Sequence, residues 1–505
     1  MKMKKKLLST LLILVLIISC KKSDNNVING NSNAPNPNAT DVATQDFIWR
    51  AMNLWYFWQD DVANLADTKF PNTPEGITTY TEFLKSEDTP EDFLKNKLLH
   101  PKDRFTFYNS DYKKLVNNLS GISKSNGVEF GLLLIADNDE DNSNNNVYGY
   151  VRYIIPNSDA SSKDIKRGDI FTGVNGQTLN YNNFRELLFS NADSYTLNMA
   201  DIVDGTIINN KKNVSLTKEE GVQENPIFMT KTFNINGEKI GYLVYNGFLR
   251  NFDKQLNDAF ATFKAENITD LVLDLRYNPG GSVNSSRLLA SMIYGTKTKE
   301  LYIKQRWNNK IQSQLDASDI EDYFASKTSD GSNINTLNLS KVYIIATNSS
   351  ASSSELVMNG LAPYINVVHI GEKTTGKNRF SITLVDDPNN SSGPYVYSAK
   401  REKNINTNNR WGLQPLVGRN ENSVGFYDYT DGLIPDIELP EDLENLGALG
   451  DVNEPLLARA IQEITGANAK RDFTVKTPIK AFTNSKMYTA VKDNMYIDKE
   501  LNIIF

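Results

Sequence analysis

Apolar and polar positions divide the chain into stretches of different period. Between Thr40 and Leu119, Phe47, Met52, Leu54, Trp55, Trp58 and Val62 recur at spacings near three and four, as on one face of a helix. Shorter helical patterns follow over 80–84, 90–99 and 111–119. From Gly121 to Glu220 the pattern becomes strand-like. Phe130 to Ile135 and Val147 to Ile155 are extended runs, and Asn175-Gly176 between apolar residues marks a tight turn. From Phe228 to Gly466, strand-like runs (Lys239 to Tyr245, Asp270 to Arg276, Lys341 to Ala346, Asn366 to Ile370) alternate with helical ones (Phe252 to Ala265, Asn284 to Tyr294, Ser354 to Leu361). Alternation of that kind predicts an α/β layered core. Beyond Ala467 the chain is polar and weakly patterned, and no role is legible there. The pattern therefore predicts a helical domain over 45–120, a β-domain over 121–220, an α/β core over 221–466 and an extension over 467–505.

The first forty residues follow a different logic. Met1 to Lys6 is basic, Leu7 to Ile18 is apolar, and Ser19-Cys20 follows. A basic start, about a dozen apolar residues and a small residue before the cut describe a secretory leader over 1–19. The run is shorter than the roughly 20 residues of a membrane span. Ile17-Ile18-Ser19-Cys20 resembles a bacterial lipobox, in which the cysteine is acylated and becomes the first residue. Cys20 is the only cysteine of the chain, so no internal disulfide or cysteine zinc site is available. Residues 20–44, rich in Asn, Ser, Gly and Pro up to Ala39, bury too little apolar surface to fold and read as a flexible tether. The expected location is the cell envelope, facing the periplasm or on the outer-membrane surface.

Charge narrows the function. The 505 residues carry 54 Lys+Arg against 61 Asp+Glu, a formal net charge of −7, and losing the four leader lysines takes this to −11. An acidic chain is not a phosphate-tracking nucleic-acid binder. With two histidines, His100 and His369, a histidine-rich metal site or relay is not expected, and neither a metal nor a cofactor is implied.

Three segments of the core carry candidate chemistry. Asp274-Leu-Arg-Tyr-Asn-Pro-Gly280-Gly281 ends a strand in a turn whose glycines let backbone amides approach a ligand. Ser349-Ser-Ala-Ser352-Ser353-Ser354-Glu355 leads from a strand into an apolar helix. Ser352 with Glu355 three residues on is a capping-box pattern, and the same serine is placed to be a nucleophile at a helix N-terminus, with the Ser353 amide available to an oxyanion. Gly371-Glu-Lys-Thr-Thr-Gly376-Lys377 satisfies the first part of a P-loop. A P-loop also needs Ser or Thr next and a helix after it, whereas here Asn378 and a strand-like run follow.

Taken together, the three segments resemble the carboxy-terminal processing peptidases, or tail-specific proteases, in the order of their motifs. The β-domain resembles a PDZ domain through Gly127-Val-Glu-Phe-Gly131, Ser158 to Ser162 and Gly168-Asp169 with Val174-Asn175-Gly176. The resemblance implies a crotonase-like ββα-spiral serine protease core beside a PDZ-like β-domain and an N-terminal helical domain. It assigns Ser352 as nucleophile and Lys377 as base, with the Gly280 and Ser353 amides as oxyanion donors. A lysine base requires a neutral amine, which burial favours. Some relatives carry a glutamine four residues after the lysine; here Ser381 stands there, and Glu355 and Ser381 are the supporting candidates. Phe130 and Gly131 map to the loop that takes a peptide carboxylate. Expected partners are proteins or peptides with flexible C-termini, and a membrane through Cys20; a homo-oligomer is left open. The competing readings are a catalytically silent PDZ-bearing peptide-binding lipoprotein and a nucleotide hydrolase at Gly371 to Lys377.

Overall fold

The computed structural model describes residues 35–37, 39–134, 145–203, 205–391, 393–466, 471–489 and 494–497. The leader, Cys20 and most of the tether lie outside the described residues. So does Ile135, the end of the first expected strand.

The α/β core forms around a six-stranded sheet. Its strands run in the order Ile227–Ile235, Glu238–Tyr245, Asp270–Asp274, Lys341–Ala346, Asn366–Gly371 and Ile437–Glu438. The first pair is antiparallel and every later pair is parallel. Parallel neighbours need crossovers, and helices Asp253–Ala265, Val283–Tyr294 and Ser353–Leu361 lie between successive strands as the alternation predicts. The central strands are buried on both faces, which is why they read as continuous Val/Ile/Leu runs. A second six-stranded sheet, less regular, brings Gly281–Ser282, Met495–Tyr496, Arg379–Ser381, Leu416–Asn422, Leu301–Trp307 and Glu321–Tyr323 together in that order.

The β-domain is a sheet in the order Val128–Leu134, Val147–Ile154, Ile170–Val174, Ser194–Val203, Thr206–Thr217, with helix Phe184–Phe189 beside its first strand. It has its own apolar cluster, centred on Phe130, Phe171, Phe184 and Leu197.

The N-terminal helices behave differently. Helix Ala43–Trp55 is buried along most of its length, and its Trp49, Met52 and Trp55 belong to one apolar cluster with Leu273, Leu288, Trp307 and Phe380 of the core. The Trp55 indole N–H donates to the Pro394 carbonyl at 2.8 Å, and the Phe57 amide to the Leu416 carbonyl at 2.9 Å. The segment 45–120 therefore encloses no separate core; its aromatic face completes that of the α/β layer.

Candidate active site

The strand Lys341–Ala346 ends at Thr347, and the chain turns sharply into helix Ser353–Leu361. Ser352 sits on that turn with φ 67° and ψ −115°, a conformation that costs a non-glycine residue about 1–3 kcal/mol and persists only where surroundings enforce it. Here they do. Ala351 N–H donates to the Asn278 carbonyl, Ser354 Oγ to the same carbonyl at 3.0 Å, and Ser353 Oγ to the Gly281 carbonyl at 2.8 Å. Ser352 is fully buried, and its Oγ makes no well-formed hydrogen bond among the described residues. The Ser353 amide, first in the helix, is one that helical geometry leaves without an intrahelical acceptor.

Glu355 joins the serine turn to the lysine loop. Its buried carboxylate accepts the Ser352 amide at 2.7 Å, the Gly376 amide at 2.7 Å, the Lys377 amide at 2.8 Å and the Thr374 hydroxyl at 2.5 Å. Burial raises its pKa, and these four donors counter the rise by stabilising the charged form. The capping pattern seen in the sequence is therefore half of a larger assembly. Lys377 is almost completely buried, with its amine 5.1 Å from the Phe105 ring centroid. Arg104 donates to the Gly376 carbonyl at 3.0 Å and to the Thr430 carbonyl at 2.9 Å, so the N-terminal segment clamps the same loop. The P-loop alternative meets two obstacles: a strand, Arg379–Ser381, follows Lys377, and the loop amides of Gly376 and Lys377 already bind an internal carboxylate.

Gly280 lies against the serine. A Cβ on it would stand 2.6 Å from Ser352 Cβ and 2.9 Å from Ser352 Oγ, and its φ is 107°. Both space and backbone thus require glycine. Its amide differs from expectation: it donates to Asn278 Oδ1 at 2.9 Å rather than facing the serine openly. Ser381 also differs. Its hydroxyl donates to Asn494 Oδ1 and the Met495 carbonyl, both at 2.9 Å, and accepts from Gln414 Nε2 at 3.0 Å. Phe130 and Gly131 stand within strand Val128–Leu134 rather than in a loop, because the apolar run starts at Val128 and pairs with Val147–Ile154. His369 is buried against the Ala346 carbonyl, outside this cluster, and burial holds its pKa down. His100 stacks on Trp58.

Asn278, Thr374, Arg104 and Asn494 escaped the sequence reading. Asn278 and Thr374 lie inside the quoted motifs, and their spacing to the turn glycines and serines was the available signal. Arg104 and Asn494 reach the site from far along the chain, with no local pattern.

A strained, buried serine heading a helix is thus tied through the Glu355 carboxylate to the loop of a buried lysine beside an α/β sheet. Residues 239–415 match the profile of peptidase family S41, and residues 43–107 match the peptidase S41 N-terminal domain. Over these two segments the chain is similar to peptidase family S41. A carboxyl-terminal-processing protease of Picosynechococcus sp. is 24% identical over 216 residues, 43% of this chain and 47% of that protein, so the match spans about half of that relative. Among solved structures, a Bacteroides fragilis protein designated an S41 protease is similar at 25% identity with a TM-score of 0.62, over 83% of this chain and 97% of that one. A photosystem II D1 C-terminal processing protease aligns over 85% of this chain and 98% of its own, at 18% identity and a TM-score of 0.49.

Proposed function

We propose that the protein is a serine endopeptidase that cuts unstructured or C-terminal segments of proteins, with Ser352 as nucleophile and Lys377 as base. The observation that carries this reading is Glu355, whose one carboxylate fixes the Ser352 turn and the Lys377 loop together. In the proposed reaction the Lys377 amine takes the hydroxyl proton as Oγ attacks the peptide carbonyl. The new Oγ–C bond forms, the C–N bond breaks, and the lysine returns the proton to the leaving amine. Water then hydrolyses the ester and frees the new C-terminus. The Ser353 amide supplies one oxyanion donor, and Gly280 a second once its bond to Asn278 is released. The core is read as a crotonase-like ββα spiral, and the β-domain as a PDZ-like module that presents strand Val128–Leu134 to peptide. The leader and Cys20 support a lipid-anchored chain of the cell envelope.

Hydrolysis of an unfolded protein such as reduced casein tests the reading. Ser352→Ala is expected to lower the rate by roughly 10³-fold or more while circular dichroism stays unchanged. Hydrolysis that persists in Ser352→Ala at the wild-type rate ends the assignment of Ser352, and no hydrolysis by the wild type leaves a peptide-binding protein with a silent core.

A further inference from the structure

The last described stretches of the chain reach both places where a peptide would bind. Thr483–Asn484 adds to the free edge of Val128–Leu134 as an antiparallel strand, Thr483 opposite Leu132 and Asn484 opposite Gly131. The Phe482 amide donates to the Leu132 carbonyl, the Phe130 amide to Ser485 Oγ at 3.0 Å, and Ser485 Oγ to Glu129 at 2.5 Å. On the other wall, Phe482 packs edge-on against Phe184, and Tyr488 stacks on Phe189 at 3.9 Å between centroids. A strand added to a sheet edge, with side chains set against a neighbouring helix, is the geometry of peptide recognition by strand addition. Here the ligand is the protein itself.

Further on, Met495–Tyr496 lies between the glycine turn and the strand after Lys377. It pairs in parallel with Gly281–Ser282 on one side and, through Tyr496, with Ser381 on the other. The space a Cβ on Gly280 would fill is 2.9 Å from Ser352 Oγ and 2.5 Å from the Asn494 carbonyl oxygen, so the segment passes directly beside the serine. Met495 is buried under Asn420, whose side-chain amide meets its sulfur at 2.9 Å, and Tyr496 joins Phe107, Leu115 and Leu119. A cavity of about 860 Å³ opens alongside, bordered by Arg250, Ile382, Thr383, Tyr496 and Ile497. The Asn494 side-chain nitrogen is buried without a partner among the described residues.

We propose that the stretches 482–489 and 494–497 act as a tethered peptide ligand, the first filling the β-domain edge and the second the cleft beside Ser352, and that substrate enters by displacing them into the same strand registers. The inference rests on Ser352 being the nucleophile. It defines the substrate chemistry: an extended polypeptide, held by backbone hydrogen bonds to Gly281–Ser282 and Ser381, with an apolar side chain at the Met495 position and an aromatic one next. The occupant explains why a polar, weakly patterned extension is ordered against two separate surfaces.

The test uses the full chain loosened at both anchors, Phe482→Ala with Tyr488→Ala and Met495→Asp with Tyr496→Asp. A fluorescein-labelled peptide of residues 482–497 is expected to bind this variant roughly tenfold or more tighter than wild type, as when a tethered competitor of millimolar effective concentration is released. Ser352 is expected to react faster with a fluorophosphonate probe to a similar degree. Each pair of substitutions alone should give a smaller rise, which keeps the test open if the fourfold variant fails to fold. Equal peptide binding and equal labelling in wild type and variants overturn the proposal. Labelling that stays at the Ser352→Ala background in every variant, while peptide binding rises, sinks the nucleophile reading and leaves the tail's role standing.

Discussion

Ser352 holds a backbone conformation that its own side chain does not favour, and Glu355 is the residue that makes this tolerable. Four donors converge on one buried carboxylate, and three of them are main-chain amides of the serine turn and the lysine loop. Glu355→Gln keeps the shape and turns an acceptor into a donor that faces those amides. The expected outcome is a loss of about 1–3 kcal/mol of stability, from denaturant titration, with kcat falling and KM nearly constant. A purely structural role would lower stability without that split. The spacing of Ser352 and Glu355 was visible in the sequence as a helix cap. Its second task was not, because Thr374, Gly376 and Lys377 come from another part of the chain, and a local pattern carries no information about a partner some twenty residues away.

At the scale of elements, the motif strand Asp270–Asp274 is anchored by charge. Arg276 is fully buried and donates to both Asp274 oxygens, to Glu454 at 2.6 Å and to Glu441 at 3.2 Å. Burial opposes ionisation of Glu441, but Arg167 and Arg276 outweigh it and bring its pKa from 4.5 down to about 2. Because the folded value is depressed, this contribution is whole above the ordinary carboxylate range and is lost as pH falls through it toward 2. Urea unfolding followed from neutral pH down to about 3 should show stability declining on the acid side, with roughly 3 kcal/mol at stake over the full titration. Glu441→Gln should flatten that limb. The parallel strands and their crossover helices were legible, since long apolar runs and 3.6-residue periods survive in the sequence. The second sheet was not. Gly281–Ser282, Arg379–Ser381 and Met495–Tyr496 are too short for any period to register, and their pairing is decided by distant chain.

Over the whole molecule, apolar contact ignores the boundaries that composition suggested. The aromatic helix Ala43–Trp55 was correctly read as having a buried face, but what that face covers is the α/β core rather than a helical core of its own. Trp55 stands 6.2 Å from Trp307 between ring centroids and hydrogen-bonds to Pro394. Trp55→Ala is therefore expected to cost about 3–5 kcal/mol and to lower a single cooperative melting transition instead of releasing an N-terminal one, as calorimetry would register.

The β-domain is fastened to that core by two arginines. Arg152 reaches Ser349 Oγ at 2.9 Å, three residues before Ser352, while Arg167 donates to the Tyr277 hydroxyl at 2.6 Å and to Glu441 at 2.7 Å. Arg152 is buried and the Arg167 side chain nearly so. Rotating this module away as a rigid body would part Arg167 from Glu441 and break the Arg152 contact with the turn that bears Ser352. The placement of the β-domain and the shape of the Ser352 turn are thus tied to one another through the Arg152–Ser349 contact, so a disturbance at either end is felt at the other.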